Sequence, residues 1–209
     1  FHPLGTGARY DPLTQLPAVP ADTADSPTID NGDPGEPFAG ETYAPNGSRV
    51  NLGSYGNTAE ASAAADYPGC ALTRRVSQST GPYKTFLSAL ASIPQALPDG
   101  RSCVIVKDGA TYSEQVTVQG YTNALSSITI FTDPASGQRP IVTPPTGSTA
   151  AFHILNSSVG VFNIDVISTN SVAYGVWASS GYVSISSVNV STSGNLGIYE
   201  AGVRISSWS

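Results

Sequence analysis

Short apolar-x-apolar triplets recur along the second half of the chain at a nearly constant interval of about 24 residues. One series consists of Val104–Val106, Ile128–Ile130, Phe152–Ile154, Val176–Ala178 and Val203–Ile205, with only its last interval slightly longer. A second series, half a turn later, consists of Val116–Val118, Ile141–Val142, Ile164–Val166 and Val188–Val190. Turn-forming residues separate the triplets, so each is expected to be a short strand.

The constant interval favours one all-β architecture over another. Strands that return in the same phase at this interval stack coil on coil, about 4.8 Å apart, and their inward side chains form continuous apolar columns. An antiparallel sandwich also consists of short strands and turns, but it requires no constant period. The pattern therefore predicts a single-stranded parallel β-helix of about five coils in residues 81–209, with Ile128, Phe152 and Val176 in one inward column.

A short amphipathic helix is predicted in residues 81–98, before the first coil. Pro82 suits its first turn, and Pro94 ends the pattern. The predicted apolar face consists of Tyr83, Phe86, Leu87, Leu90 and Ala91. A helix at this place would cover the first coil, whose strand edges would otherwise be free to pair with other chains.

Composition then limits the classes of function. The chain has 209 residues and a formal net charge of -6, and its only lysines are Lys84 and Lys107. Nucleic-acid binding requires clustered Lys and Arg, so no nucleic-acid partner is expected. No apolar run approaches the roughly 18 residues of a membrane span, so no membrane insertion is expected. The chain begins at Phe1 and contains no Met, which predicts a processed or excised piece.

Cys70 and Cys103 are the two cysteines of the sequence. The low lysine content and the many Ser and Thr residues indicate an exported protein, located outside the cell or at its surface, where disulfides persist. We therefore expect a disulfide between these cysteines. Two buried free thiols are the main alternative, and a reactive catalytic thiol is a more remote one.

Two parts of the sequence resemble known proteins. Residues 82–118, PYKTFLSALASIPQALPDGRSCVIVKDGATYSEQVTV, resemble the opening of pectate-lyase-like, right-handed parallel β-helix proteins: a capping helix, a buried strand and a Gly-x-Tyr-x-Glu turn. Here that turn runs from Gly109 to Glu114 with one extra residue. Residues 26–38, SPTIDNGDPGEPF, and 45–62, PNGSRVNLGSYGNTAEAS, resemble the closing segment of bacterial secreted β-helix repeat proteins.

The resemblance implies that the end of one β-helix unit precedes the beginning of another. The expected layout is a closing or docking segment in residues 1–66, a linker in 67–80 and a right-handed β-helix in 81–209. We hypothesise head-to-tail association of copies, or a covalent tandem array of neighbouring units. The expected donor residues are Ile29, Val50, Leu52 and Tyr55, and the expected acceptor residues are Val203 and Ile205.

The same family includes polysaccharide lyases and hydrolases, so acidic residues are candidates for catalytic or Ca²⁺-binding groups. Asp108 and Asp133 are separated by about one coil of the predicted β-helix, and Asp30 and Asp33 share one short loop. All four are weak Ca²⁺ candidates. Asp108 and Asp133 lie in Asp-Gly and Asp-Pro turns, where the carboxylate bonds its own backbone. The spacing of Asp30 and Asp33 does not match the Ca²⁺-loop template. Asp165 has no evident basic partner one coil away. No catalytic residue and no cofactor is expected.

An outward column of Ile105, Thr129, His153, Trp177 and Arg204 is predicted from the first triplet series. Of these, His153, Trp177 and Arg204 are candidates for glycan binding, because an aromatic ring flanked by polar side chains can stack on a sugar. The alternative is that they contact a neighbouring subunit or cover the sheet. The sequence thus predicts a structural or adhesive module without catalysis, with a lyase or hydrolase fragment and a passive glycan-binding module as alternatives.

Overall fold

The computed structural model describes residues 2–5, 9–11, 13, 16–18, 22, 25–33, 35–41, 50–63, 70–79, 82–122, 124–192 and 198–206. In chain order the elements are β1 (Arg9–Asp11), β2 (Leu16–Ala18), β3 (Cys70–Val76), α1 (Phe86–Ala91), β4 (Gly100–Val106), β5 (Thr111–Tyr112), β6 (Val116–Gln119), β7 (Ser126–Thr132), a 3-10 turn (Pro134–Ser136), β8 (Ile141–Val142), β9 (Ala150–Leu155), β10 (Val159–Phe162), β11 (Asp165–Ser168), β12 (Val172–Ser179), β13 (Val183–Ser186), β14 (Asn189–Thr192) and β15 (Ile198–Ser206). The chain divides into two compact units: an N-terminal unit (Phe1–Thr73 with Thr80–Pro82) and a solenoid (Arg74–Ser79 with Tyr83–Ser209).

The solenoid is a parallel β-helix, as the sequence predicts. Its strands form three parallel sheets, which we call sheet A (β3, β4, β7, β10, β13), sheet B (β5, β8, β11, β14) and sheet C (β6, β9, β12, β15). From β4 onward, each turn of the chain contributes one strand to each sheet in the order A, B, C, whereas β3 adds a strand to sheet A alone. Sheet A stacks five strands, which agrees with the predicted number of about five coils.

The length of a coil differs between the beginning and the end of the solenoid. In sheet B, Ile141 pairs with Asp165 and Asp165 with Asn189, so the late coils advance by 24 residues. In the first coils the step is longer, because Val116 pairs with Phe152 and the nearby Tyr121 N–H donates to the Ser157 hydroxyl, in each case 36 residues on. The extra residues lie in turns, where added length is tolerated because it need not pair with a neighbouring strand.

The predicted column of Ile128, Phe152 and Val176 is therefore wrong. Phe152 and Val176 are register partners in sheet C, whereas Ile128 lies in sheet A and pairs with Val159. Because the early turns are long, the regular triplet series joined strands of two different sheets. True inward columns exist, such as the fully buried Val104, Ile130 and Val161 of sheet A.

α1 is shorter than the predicted helix of residues 81–98. It begins after Thr85, whose hydroxyl accepts a hydrogen bond from the Ser88 backbone N–H in a capping box, and it ends before Ser92. Its buried side follows the helical spacing i, i+3, i+4, i+7 in Phe86, Ala89, Leu90 and Ile93. Leu87 and Ala91 are exposed, so the predicted face was wrong for these two residues. The buried side packs on β4 and β6 and covers the first coil.

The predicted linker, residues 67–80, contains the edge strand β3 of sheet A, which lies beside β4. The charged pair in its sequence, CALTRRV, obscures the strand pattern. Arg74 is nevertheless buried, because its guanidinium donates to the hydroxyl and the carbonyl of Ser92 at 2.7 and 3.1 Å. Cys70 and Cys103 are both disulfide-bonded, which is the first of the alternatives that the sequence left open.

The N-terminal unit is built mainly from turns around buried polar side chains. Asn51 lies at its centre: its amide oxygen accepts from the Asp30 N–H at 2.7 Å, and its amide nitrogen donates to the Ser62 carbonyl at 2.6 Å. Glu41 accepts from the backbone N–H groups of Asn51 and Asn57 at 2.7 and 2.9 Å. These side chains satisfy backbone groups that have no sheet or helix to pair with, as burial requires.

Candidate functional site

The inward side chains of the last coil are less buried than their register partners one coil earlier. In sheet C, Val176 is fully buried, whereas its partner Val203 is 45% exposed. Ala178 is 1% exposed, and its partner Ile205 is 61% exposed. The same change occurs in the other two sheets, where buried residues of β10 and β11 pair with half-buried residues of β13 and β14.

We call this surface the terminal face. It is formed by the apolar residues of the last coil that point along the inward columns: Val183, Ile185, Val188, Val190, Val203 and Ile205. Within the described part of the solenoid, no strand pairs with the outer edges of β13, β14 or β15. The terminal face therefore combines uncovered aliphatic side chains with strand edges.

Two of the three strands that border the terminal face, β13 and β14, lack the usual protection of a sheet edge, whereas β15 carries Arg204 and a register shift against β12. β13 has the sequence VSIS and β14 the sequence NVST, with neither a charged residue nor a proline. Natural sheet edges are commonly blocked by Lys, Pro or a bulge, because an unblocked edge pairs with other strands. These strands are thus able to accept a further strand layer through main-chain hydrogen bonds.

The two predicted acceptor residues, Val203 and Ile205, lie in the terminal face. The predicted donor residues are distributed differently within the N-terminal unit. Ile29 is buried, and Tyr55 stacks on His2 with ring centroids 4.0 Å apart. Two of the four candidates therefore already have partners inside their own unit.

Val50 is half-buried, and its carbonyl accepts from the Gly32 N–H at 2.8 Å. A Cβ at Gly32 would lie 2.4 Å from the Val50 side chain, so glycine is required for this approach. Leu52 is 47% exposed and is the predicted donor that presents the most apolar surface outward.

A ladder of large side chains lies on the outer side of sheet C. The rings of His153 and Trp177 are stacked with centroids 4.7 Å apart and an angle of 11° between their planes. Arg204, the next residue in register, extends instead to Tyr174, donating to its hydroxyl at 2.8 Å. The predicted column was wrong at its beginning: Ile105 and Thr129 lie in sheet A, and Thr117 precedes His153 in register.

The ladder has the geometry of a packing element between coils. One face of the Trp177 indole is covered by His153, so that face is not available to a sugar ring. Burial lowers the pKa of His153 below its usual range, which favours the neutral ring. Stacked aromatic neighbours on adjacent strands stabilise the strand pair. Nε2 of His153 and Nε1 of Trp177 are nevertheless buried without a hydrogen-bond partner among the described residues, which packing alone does not explain.

Tyr182 offers a more accessible aromatic ring than Trp177. It is 87% exposed and lies at the turn before β13, between two shallow grooves. The polar residues that line these grooves are mainly hydroxyl-bearing and include Ser127, Thr129, Ser157, Ser158, Ser180 and Ser184. An exposed aromatic ring beside hydroxyl groups is suited to contact with polar, ring-shaped ligands.

Asp108 and Asp133, two of the weak Ca²⁺ candidates, are occupied by protein donors. Asp108 accepts from the Ser77 hydroxyl at 2.8 Å and from the Tyr112 hydroxyl at 2.7 Å. Burial alone would raise the pKa of Asp108, but these hydrogen bonds outweigh it and hold the pKa below its usual value. Asp133 forms an ion pair with Lys107 at 2.5 Å.

The other two candidates, Asp30 and Asp33, serve the turns of the N-terminal unit. Asp33 accepts from the Gly35 N–H at 2.8 Å, which is an Asx turn. Asp30 is buried and adopts a left-handed backbone with φ of 53°. Across the described residues, no group of three or more His, Cys, Asp or Glu side chains is arranged to hold a metal ion.

Asp165 has a basic partner that sequence reasoning missed. Arg139 Nε and Nη2 donate to Asp165 Oδ1 at 3.0 and 2.6 Å, and Asn189 donates to the same oxygen at 2.8 Å. The hydrogen bonds from Arg139 lower the pKa of Asp165. The available signal was a basic residue 26 positions before Asp165, within the variation of the early coil lengths.

Searches of protein-family models, curated proteins and solved structures find no match to this chain. No helix in the described ranges is long and apolar enough to cross a membrane.

Proposed function

We propose that this chain is an exported structural module whose terminal face stacks on a further layer of β-strands. The observation that carries the proposal is the loss of burial along single columns, from 0% exposure at Val176 to 45% at Val203. Apolar area removed from water stabilises association by roughly 25 cal/mol per Å². The covering layer comes from another copy or from a neighbouring β-helix unit, in a filament or in a tandem array at the cell surface.

The structure of the opposite end limits how copies can stack. The first coil is covered by α1, which buries Phe86 and Leu90 against β4 and β6. At this end a second copy offers α1, which has no free strand edge, and β3 as the edge strand of sheet A alone, so at most one of the three sheets could continue across such a contact. The segment in residues 1–66 that resembles a closing segment is the proposed donor, and Leu52 is its most exposed predicted contact.

The test is the self-association of Val203→Asp compared with the unmodified chain. A carboxylate at the terminal face would be desolvated on stacking without a partner, so association should weaken strongly. Leu125→Asp is the matched control, because Leu125 is 79% exposed and lies outside the terminal face. Sedimentation velocity over a wide concentration range should show assembly of the unmodified chain and the control only.

Two outcomes would contradict association of copies through the terminal face. One is an unmodified chain that stays monomeric at the highest concentration, which would leave only a covalent array. The other is a Val203→Asp protein that assembles as the unmodified chain does, which would place the interface elsewhere. Circular dichroism of each variant establishes that it is folded.

A second candidate function, passive glycan binding, is favoured by the exposure of Tyr182 beside the two grooves. If this ring contacts a sugar, Tyr182→Ala should abolish retention on a glycan to which the unmodified chain binds. Trp177→Ala should bind as before, because His153 already covers one face of that indole. If Trp177→Ala alone lost binding, the glycan-binding site would lie at the ladder and not at Tyr182.

No contact of the described residues favours the lyase or hydrolase alternative. Arg139 and Asp165 form an ion pair with each other at 2.6 Å. Release of unsaturated sugars from polygalacturonate, with and without Ca²⁺, tests this alternative directly.

A further inference from the structure

Arg139 connects three consecutive coils of the solenoid. It lies in the long turn between β7 and β8, and its guanidinium donates to Asp165 and Asn163 in the next coil. The same group reaches the coil beyond, where Nη2 donates to the Ser187 carbonyl at 2.7 Å and Nη1 to the Ser187 hydroxyl at 3.3 Å. The planar fork of arginine allows one side chain to bond in these several directions at once.

The two turns that Arg139 contacts are strained in the same way. Asn163 has φ of 57° and Ser187 has φ of 55°, which is a left-handed backbone in both cases. Non-glycine residues adopt this conformation at a cost, and it persists where the surroundings impose it. Asn163 joins β10 to β11, and Ser187 joins β13 to β14 at the corresponding corner one coil later.

The Ser187 corner determines how the terminal face is presented. β13 carries Val183 and Ile185, and β14 carries Val190. A shift at the corner between these strands would move the side chains out of the columns that they continue. The last coil has no further strand above it among the described residues, so its position depends on contacts from below.

We infer that Arg139 is a positioning residue for the terminal face, holding the β13–β14 corner in register with the coils beneath it. The role of Arg139 in stacking rests on the proposed function, whereas its hold on the β13–β14 corner does not. Asp165 fixes the guanidinium, and Asn189, the first residue of β14, bonds to the same carboxylate at 2.8 Å. The corner is thereby held on both sides.

Hydrogen exchange in the native protein tests the inference. Arg139→Gln removes the charge and the fork, and Arg139→Lys keeps the charge without the fork. In both variants we expect the amides of β13 and β14 to exchange roughly tenfold faster, with β9 and β12 little changed, because the lost contacts act locally. Lys84→Gln is the charge-matched control, since Lys84 bonds to the exposed Ser79 carbonyl, away from the terminal face.

Unchanged exchange at β13 and β14 in Arg139→Gln would overturn the inference. An equal rise across all strands would also overturn it, because Arg139 would then contribute only general stability. If β13 and β14 exchanged as slowly in Arg139→Lys as in the unmodified chain, the charge alone would hold the corner and the fork would not be required.

Sedimentation of the same variants separates this inference from the proposed function. If the unmodified chain never associates, the proposed function fails, and the exchange result alone decides the role of Arg139. If the unmodified chain associates, both Arg139 variants should associate at least several-fold more weakly than Lys84→Gln. Faster exchange at β13 and β14 with unchanged association would overturn the positioning role.

Discussion

The solenoid and the N-terminal unit satisfy their backbones by different means. In the solenoid, each strand pairs with its equivalent in the next coil, and aliphatic columns such as Val104, Ile130 and Val161 fill the interior. In the N-terminal unit, side chains of Glu41 and Asn51 bond to backbone groups of several turns. Regular pairing allows an apolar interior, whereas irregular turns require buried polar side chains.

The contrast is not complete, because the solenoid also satisfies some backbone groups with a buried polar side chain. Glu114 is 7% exposed and accepts from the backbone N–H groups of Phe86 and Leu87 at 2.9 and 3.0 Å. It thereby satisfies the first turn of α1, where the chain departs from the strand repeat. Glu41 has the corresponding role between Asn51 and Asn57. In both places a buried carboxylate stands in for strand pairing.

The largest effect is expected from Phe152→Ala, which removes a large apolar side chain from the interior of the solenoid. Phe152 is fully buried, and its ring lies 6.3 Å from that of Phe86, centroid to centroid. Loss of a buried aromatic ring leaves a cavity and should lower the free energy of unfolding by about 3 to 5 kcal/mol. Urea denaturation measures the change, with Leu125→Ala as an exposed control that should stay within about 0.5 kcal/mol. A loss below about 1 kcal/mol would mean that the column is not close-packed.

Glu41→Ala should have the next largest effect, confined to the N-terminal unit. It removes a charged acceptor from two backbone N–H groups, which is expected to cost about 2 to 3 kcal/mol. Hydrogen exchange of the Asn51 and Asn57 amides should therefore accelerate, while amides of β9 and β12 keep their rates. Glu36→Ala, an exposed carboxylate in the same unit, is the control. Equal acceleration of hydrogen exchange in both units would show that the hydrogen bonds of Glu41 do not stabilise the N-terminal unit alone.

The smallest effect concerns Glu114 and appears in the pH dependence of stability. Burial raises the pKa of Glu114 above its usual value of 4.5, although the N–H groups of Leu87 and Phe86 oppose the shift. The folded protein therefore binds this proton more readily than the unfolded chain, so the contribution of Glu114 to stability should rise as pH falls from neutral towards 4.5. Glu114→Gln should lack this rise.

Thermal unfolding between neutral pH and about 4.5 measures the difference between the two proteins. Protonation of His153, whose pKa is lowered from 6.5, opposes the rise in this range, but it does so equally in both proteins and cancels in their difference. The pKa values of Asp108 and Asp165 are lowered from 3.8, so their contributions are lost only at lower pH. Parallel curves for Glu114→Gln and the unmodified chain would show that this carboxyl does not titrate in that range.

The fold was predictable from the sequence because a repeated strand leaves a repeated apolar pattern. The register was not, since turns of unequal length precede β8 and β9 and shift the phase without leaving an apolar signal. For the same reason the partnership of Arg139 with Asp165 was missed, because their separation of 26 residues differs from the 24 residues of a late coil. Exposure of Val203 and Ile205 was expected from their place in the last coil, but the covering of Trp177 by His153 depends on ring orientation, which spacing does not determine.

The late coils of the solenoid all contain the same number of residues. Phe152, Val159 and Asp165 pair with Val176, Val183 and Asn189, so the three sheets share a step of 24 residues at this place. Duplication of the segment from Phe152 to Gly175 would accordingly add one coil to the solenoid, and the strands of the copy would find partners in the same register on both sides. A gene encoding such a protein can gain or lose whole coils by unequal recombination, which changes the length of the solenoid in steps of one coil.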